Sequence, residues 1–164
     1  CTKLSIGAKV FLHPVKNPSL YGVALINKKN KIINIIEKPI KARSKLAVTG
    51  LYFFDERASQ IAKSISPSKR GELEIVDLIK IYIREKKAKF SKIGRGISWL
   101  DMGSFDDLND CSNFIRAIEK RQNFVIGSPE EIVWRNNFIS SKQLKKVASK
   151  YKNDYGKYLN NLSN

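Results

Sequence analysis

Four short segments of this sequence place polar or conformationally special residues where an apolar run starts or stops. Glu37-Lys38-Pro39 sets a carboxylate beside an ammonium as an isoleucine-rich run ends. A carboxylate accepts hydrogen bonds from sugar hydroxyls, and an ammonium offers a point charge to a phosphate. Tyr21-Gly22-Val23 and Val48-Thr49-Gly50-Leu51-Tyr52 each carry a glycine within an apolar pattern. A glycine such as Gly50 in a strand pattern marks a bulge, a close approach by a ligand, or simply a packing position. Trp99-Leu100-Asp101-Met102-Gly103 places an aromatic platform two residues from a carboxylate, and on a strand the period of two turns both to one face. Each segment also has a plainer reading: a surface ion pair for Glu37 and Lys38, a core aromatic for Trp99, a helix-leading carboxylate for Asp101.

The elements that must position these residues can be read from periodicity. Ala8 to Leu12 alternates as a strand, and Tyr21 to Ile26 reads as a second. Asn27-Lys28-Lys29-Asn30 is a polar turn, with Lys31 to Glu37 as hairpin partner. Val48 to Phe54 is a third apolar run. Helical periodicity covers Glu56 to Ile65, Pro67-Ser68 breaks it, and Glu72 to Lys86 places Leu73, Val76, Ile79 and Ile83 on one face. Phe90 to Ile93 and Ile97 to Leu100 read as short strands. Ser104 caps a helix with Asp106 and Asp107 in its first turn, running to about Gln122. From Pro129 onward the pattern is helical in short pieces. Strands alternating with helices, then a helical tail, give an α/β layered unit with a helical appendage. All four chemical segments lie at strand ends, where open α/β sheets keep their ligands.

The whole-chain balance narrows the function classes. The 164 residues suit one globular unit, and 42% apolar with 28% charged excludes a disordered chain. Lys and Arg number 31 against 15 Asp and Glu, a net charge of +16 that attracts polyanions. These cations are scattered among Ile and Asn residues, as in Lys31-Ile32-Ile33-Asn34-Ile35-Ile36. That is the mark of a compositional drift, and no zinc-finger spacing, RNP aromatic signature or basic heptad accompanies it, so a nucleic-acid partner is not expected. No apolar run approaches the roughly 20 residues of a membrane span, and no signal-peptide core opens the chain. Cys1 and Cys111 match no zinc or redox spacing and read as reduced thiols in a cytoplasmic protein.

Taken in order, Tyr21-Gly22-Val23, Glu37-Lys38-Pro39, Val48-Thr49-Gly50-Leu51-Tyr52-Phe53, Arg70-Gly71-Glu72-Leu73-Glu74-Ile75 and Gly94-Arg95-Gly96 running into Trp99-Leu100-Asp101 resemble the sugar-phosphate nucleotidylyltransferase family. Glu119-Lys120-Arg121-Gln122 and Glu130-Glu131-Ile132-Val133-Trp134-Arg135-Asn136 are similar to its glucose-1-phosphate thymidylyltransferase branch. The resemblance runs from Gly7 to about Leu162. It implies a mostly parallel mixed sheet flanked by helices, of the nucleotide-diphospho-sugar transferase type. Residues 1–122 would be the sugar-binding half of the α/β domain and residues 123–164 a helical tail. The implied reaction joins dTTP and glucose 1-phosphate into dTDP-glucose, on the way to dTDP-rhamnose and polysaccharide, and releases pyrophosphate. Glu37 would bind glucose hydroxyls, Lys38 and Arg70 would act at phosphate, and Tyr21, Gly22, Val48, Thr49, Gly50 and Trp99 would line the sugar pocket. Asp101, oriented by Trp99, would be one of two aspartates on Mg²⁺. The family also implies a homo-tetramer.

The family's Gly-rich nucleotide loop and its first metal-binding aspartate find no counterpart in these 164 residues. The expectation is therefore a C-terminal portion of such an enzyme, without activity by itself. Two alternatives stay open: a related enzyme using another nucleotide, and a non-catalytic basic module that keeps the fold.

Overall fold

The structure is a computed structural model and describes residues 6–68 and 71–162. Packing divides the chain into two compact units, Cys1–Trp99 and Leu100–Asn164. Residue 122, where the expected sugar-binding half ends, is the last residue of a long helix, Phe105–Gln122, within the second unit.

The first unit is a five-stranded sheet, β1 (Ala8–Pro14), β2 (Val23–Ile26), β3 (Ile32–Ile36), β4 (Leu46–Phe54) and β5 (Ala88–Lys92), with helices α1 (Ala58–Lys63) and α2 (Ile75–Arg84). The strand order is β3-β2-β4-β1-β5. The expected α/β layering and mixed sheet are present, but among the described residues only β1 with β5 runs parallel. Short polar turns join antiparallel neighbours, whereas a parallel strand needs a long crossover. Here α1 and α2 lie between β4 and β5. The β2–β3 turn is organised by Asn27, whose Oδ1 accepts the N–H groups of Lys29 and Lys31, with Asn30 in the left-handed region at φ 56°. The strand expected over Ile97 to Leu100 does not form.

The apolar face of α2 covers the sheet. Val76 and Ile79 pack with Val10, Leu12, Ala24, Ile35 and Val48. Tyr82 and Leu78 bury on a second patch with Ala8. Leu73, expected on the buried face, precedes the helix and is exposed. Below this layer Asp55, just after β4, is almost fully enclosed, with its side chain 4% exposed. Its carboxylate accepts hydrogen bonds from Gly7 N–H (2.8 Å), Tyr82 Oη (2.6 Å) and Arg57 Nε (3.2 Å). Burial alone would raise its pKa, but these donors bring it down from 3.8 to about 2. Burial and the same carboxylate push Tyr82 up to about 12.

The second unit holds α3 (Phe105–Gln122), α4 (Pro129–Arg135), α5 (Ser141–Ala148) and α6 (Asp154–Leu162). Ser104 caps α3 as expected, accepting Asp107 N–H, and Asn123 ends it at φ 55°. Cys111 is a buried free thiol on α3. Leu144, Ala148 and Leu159 form the core of α5 and α6, with Trp134 packed against it. Three tyrosines of and before α6 grip α4. Tyr155 and Tyr151 donate to Glu130 at 2.5 and 2.8 Å, and Tyr158 donates to Glu131. The Tyr155 and Tyr151 bonds hold the Glu130 carboxyl below the usual range.

Two outcomes test this account. Asp55→Asn should cost about 1.5–3 kcal/mol in urea unfolding at neutral pH, because four hydrogen bonds to a charge are weakened, the Arg57 N–H included. Asp55 titrates lower in the folded state, so its stabilisation is complete above the unfolded value and is lost as pH falls toward about 2. The variant should lack that acid slope, and an identical slope in both proteins would contradict the role. Gly156→Ala should cost about 1–3 kcal/mol by overpacking. The new Cβ would lie 2.1 Å from the Tyr151 carbonyl oxygen, backbone that cannot step aside.

Candidate sugar-phosphate site

The site begins with two backbone irregularities. Opposite Phe11, β4 carries extra residues between the Val10–Tyr52 and Leu12–Val48 pairs. Gly50 sits in this bulge at φ +81°, a conformation that side chains resist, so the bulge reading of this glycine is the one realised. Thr49 steadies the bulge by donating its hydroxyl to the Phe11 carbonyl at 3.1 Å. The freed Thr49 carbonyl accepts the Trp99 indole N–H at 3.0 Å. The second irregularity is Lys38, at φ 39°, which turns the chain at the end of β3. Its N–H donates to the Tyr21 carbonyl at 3.1 Å.

These contacts draw the predicted residues into one region. The Tyr21 ring meets Trp99 edge-on at 5.2 Å between centroids. Gly22 accepts the Val48 N–H at 2.8 Å through its carbonyl. On its other side, a Cβ at Gly22 would lie 2.9 Å from Glu37 Oε2, so the bare glycine is what lets this carboxylate lie against the backbone. Glu37 and Lys38 open onto a cleft of about 310 Å³ lined also by Ser68, Glu74, Asp77 and Lys80. Ser68 donates to Glu74 at 3.1 Å, and Lys80 pairs with Asp77 at 2.9 Å. Tyr52 is raised in pKa by burial first and by the Glu37 charge second, so that carboxylate is felt across the sheet.

Tyr21, Gly22, Glu37, Lys38, Val48, Thr49, Gly50 and Trp99 thus lie together in the first unit. Arg70 lies outside the described residues. Asp101 belongs to the second unit, in an irregular segment, so the shared strand face expected for Trp99 and Asp101 is not formed. The single donor of Trp99 is engaged by Thr49, and Asp101 Oδ1 accepts the Met102 N–H at 3.0 Å. Sequence reasoning missed His13. Its ring packs at 5.7 Å from Trp99, and its Nδ1 is buried without a hydrogen-bond partner. The His13-Pro14 step reads only as punctuation in the sequence, because register across β1 and β4 brings it to Trp99.

Comparison with known proteins agrees with the motif order. The family model described as Nucleotidyl transferase matches residues 2–118. A glucose-1-phosphate thymidylyltransferase of Xanthomonas campestris pv. campestris (strain B100) is 46% identical over 158 residues, 96% of this chain and 54% of that protein. One of Neisseria meningitidis serogroup A is 43% identical over 154 residues, covering 93% of this chain and 54% of that protein. The crystal structure of a protein described as a Bacillus anthracis glucose-1-phosphate thymidylyltransferase, in complex with sucrose, aligns at a TM-score of 0.62. The two are 36% identical, over 70% of this chain and 46% of that one. The chain spans about half the length of the curated relatives it matches.

A pair of glycine substitutions separates conformation from space. A Cβ meets nothing within 4 Å at Gly50 or at Gly94, yet only Gly50 is left-handed. Gly50→Ala should cost about 1–2 kcal/mol in thermal or urea unfolding and disturb tryptophan fluorescence, because the bulge fixes the Thr49 carbonyl. Gly94→Ala should stay within about 0.5 kcal/mol of the parent. Equal effects at both positions would contradict the bulge argument.

Proposed function

The chain belongs to the nucleotidyl transferase family, and on that premise we propose that it is the sugar-phosphate-binding portion of a glucose-1-phosphate thymidylyltransferase. The reaction in this reading joins dTTP and glucose 1-phosphate. A phosphate oxygen of glucose 1-phosphate attacks the α-phosphorus of dTTP in line, the bond from that phosphorus to the pyrophosphate oxygen breaks, and pyrophosphate leaves. The observation that carries it is the seating of Glu37 against the bare backbone of Gly22, beside Lys38 and a Trp99 held by the bulge carbonyl. The glucose-1-phosphate thymidylyltransferases to which the chain is similar point the same way.

In this reading the Glu37 carboxylate accepts hydroxyl hydrogen bonds from glucose, a group rich in donors. Lys38, turned outward by its left-handed backbone, neutralises the phosphate, and Arg70 acts at the same group. Gly22, Val48, Thr49 and Gly50 give close backbone approach, and Tyr21 with Trp99 gives the sugar an aromatic wall. Holding two anionic reactants in line supplies much of the rate enhancement in such chemistry.

A divalent ion, Mg²⁺ in this reading, fits Asp101. The carboxylate is exposed, and Oδ2 has no hydrogen-bond partner among the described residues. Magnesium needs only one or two carboxylates when phosphate oxygens and water complete its shell. When bound, it supplies charge neutralisation at the triphosphate. The protein works in the cytoplasm in this reading, and among the described residues no helix is long and apolar enough to cross a membrane. Exposed Ile132 and Phe138 on the second unit support a homo-oligomer, a tetramer as in the family.

Calorimetric titration tests the division of labour. Glu37→Gln should weaken glucose 1-phosphate binding by about 10- to 100-fold and leave inorganic phosphate binding unchanged. Lys38→Ala should weaken both ligands. In a full-length or reconstituted enzyme, Asp101→Asn should remove most dTDP-glucose formation while the circular dichroism melt stays put. Equal losses for both ligands in both variants would sink the assignment.

A further inference from the structure

A second cleft of about 870 Å³ opens between the β2–β3 turn, the end of α2 and β5, and shares no lining residue with the sugar-phosphate cleft. Five cations surround it: Lys29 and Lys31 from the turn, Arg84 and Lys86 from the end of α2, and Lys89 from β5. No carboxylate lines it, and none of the five side chains enters an ion pair among the described residues. Arg57, Lys80 and Lys87 pair with carboxylates, while other cations of the first unit, Lys9, Lys41 and Lys92 among them, are also without an ion pair among the described residues; what sets these five apart is that they gather around one cleft. The positions are also fixed by backbone. Asn27 Oδ1 holds the N–H groups of Lys29 and Lys31, and Lys86 sits at φ 58° with its N–H on the Ile83 carbonyl. Between the cations the lining is apolar: Ile32, Ile33, Ile83, Ala88 and Phe90.

Five like charges gathered on three elements repel one another, and their mutual cost is relieved by an anion of high charge density. A single phosphate would leave most of them unanswered. The apolar lining, with an aromatic ring, suits a flat or hydrophobic body attached to that anion, and the volume lies within the roughly 300–1,000 Å³ of small-molecule sites. We propose that this cleft binds a small molecule carrying two or more linked phosphoryl groups on a planar or apolar body, at a site separate from the sugar-phosphate cleft.

The test is calorimetric titration of the 164-residue chain without divalent metal, using ATP and inorganic tripolyphosphate as probes. ATP should bind, more tightly than tripolyphosphate, and excess glucose 1-phosphate should not displace it. The combination Arg84→Gln, Lys86→Asn and Lys89→Gln should weaken ATP by about tenfold or more, with Asn chosen at 86 because it tolerates the left-handed backbone. Lys29→Gln with Lys31→Gln, on the exposed turn, should weaken it independently. Lys41→Gln, Lys142→Gln and Lys150→Gln together remove the same charge elsewhere and should leave binding unchanged. No ATP binding, equal loss in this last variant, or displacement by glucose 1-phosphate would overturn the site. Equal affinity for tripolyphosphate would overturn the apolar half of the assignment. A stronger response to a single-stranded oligonucleotide than to ATP would overturn it in favour of a nucleic-acid surface.

Discussion

The enclosed carboxylate of Asp55 ties together pieces of the first unit that are far apart in sequence. It leaves the end of β4 and takes the backbone N–H of Gly7 just before β1, the Tyr82 hydroxyl on α2 and the Arg57 guanidinium beside α1. A buried charge is costly unless its lone pairs are answered, so these donors must converge for the sheet to carry its helices at all. With β4 and β1 fixed to each other at that end, Val10 and Val48 fall into the layer that Val76 and Ile79 cover. The aromatic stack of Phe54 on Tyr82 extends the same contact. Gly7 is suited to this junction, since a Cβ there would lie 2.3 Å from the Lys87 carbonyl oxygen.

At the opposite end of β4 the same strand departs from regularity, and the candidate site uses that departure. A regular ladder would spend the Thr49 carbonyl on a neighbour. The bulge instead spends it on Trp99, and Trp99 then meets Tyr21 and His13. The carboxylate and ammonium of Glu37 and Lys38 stand on a strand end locked to Tyr21 by a backbone hydrogen bond. Groups held by sheet backbone keep their geometry better than groups on free loops, which suits chemistry that depends on positioning.

Ion pairs answer only part of the +16 charge. Some cations are answered locally, as with Arg135 on Glu131 and Lys157 on Asp154 in the second unit. The five around the larger cleft belong to the many that no carboxylate answers among the described residues, and they are the ones gathered in one place. Scatter along the sequence therefore conceals a concentration in space, since a hairpin turn, a helix end and an edge strand contribute to one place. In the second unit, burial of Ser128 and the tyrosine bonds to Glu130 and Glu131 show acidic residues used for helix docking.

The order of local motifs was enough to identify the family, the α/β layering, the β2–β3 hairpin and the cap of α3, because turns, caps and periodicity depend on neighbours in sequence. Glu37, Lys38, Gly22 and Gly50 could be singled out for the same reason: a polar residue or glycine ending an apolar run is a local signal. Periodicity placed Val76, Ile79 and Ile83 on the covered face of α2, as found, but it began the helix too early, so Leu73 lies before its first turn and is exposed. It offered a strand at Ile97 to Leu100 that does not form, because apolar alternation counts for nothing without a neighbouring edge to bond. The answering of Asp55, the meeting of His13 with Trp99 and the gathering of Lys29, Lys31, Arg84, Lys86 and Lys89 were settled only by strand register and crossover. Those contacts join residues tens of positions apart, and nothing in a residue's own neighbourhood in the chain fixes which distant group it will meet.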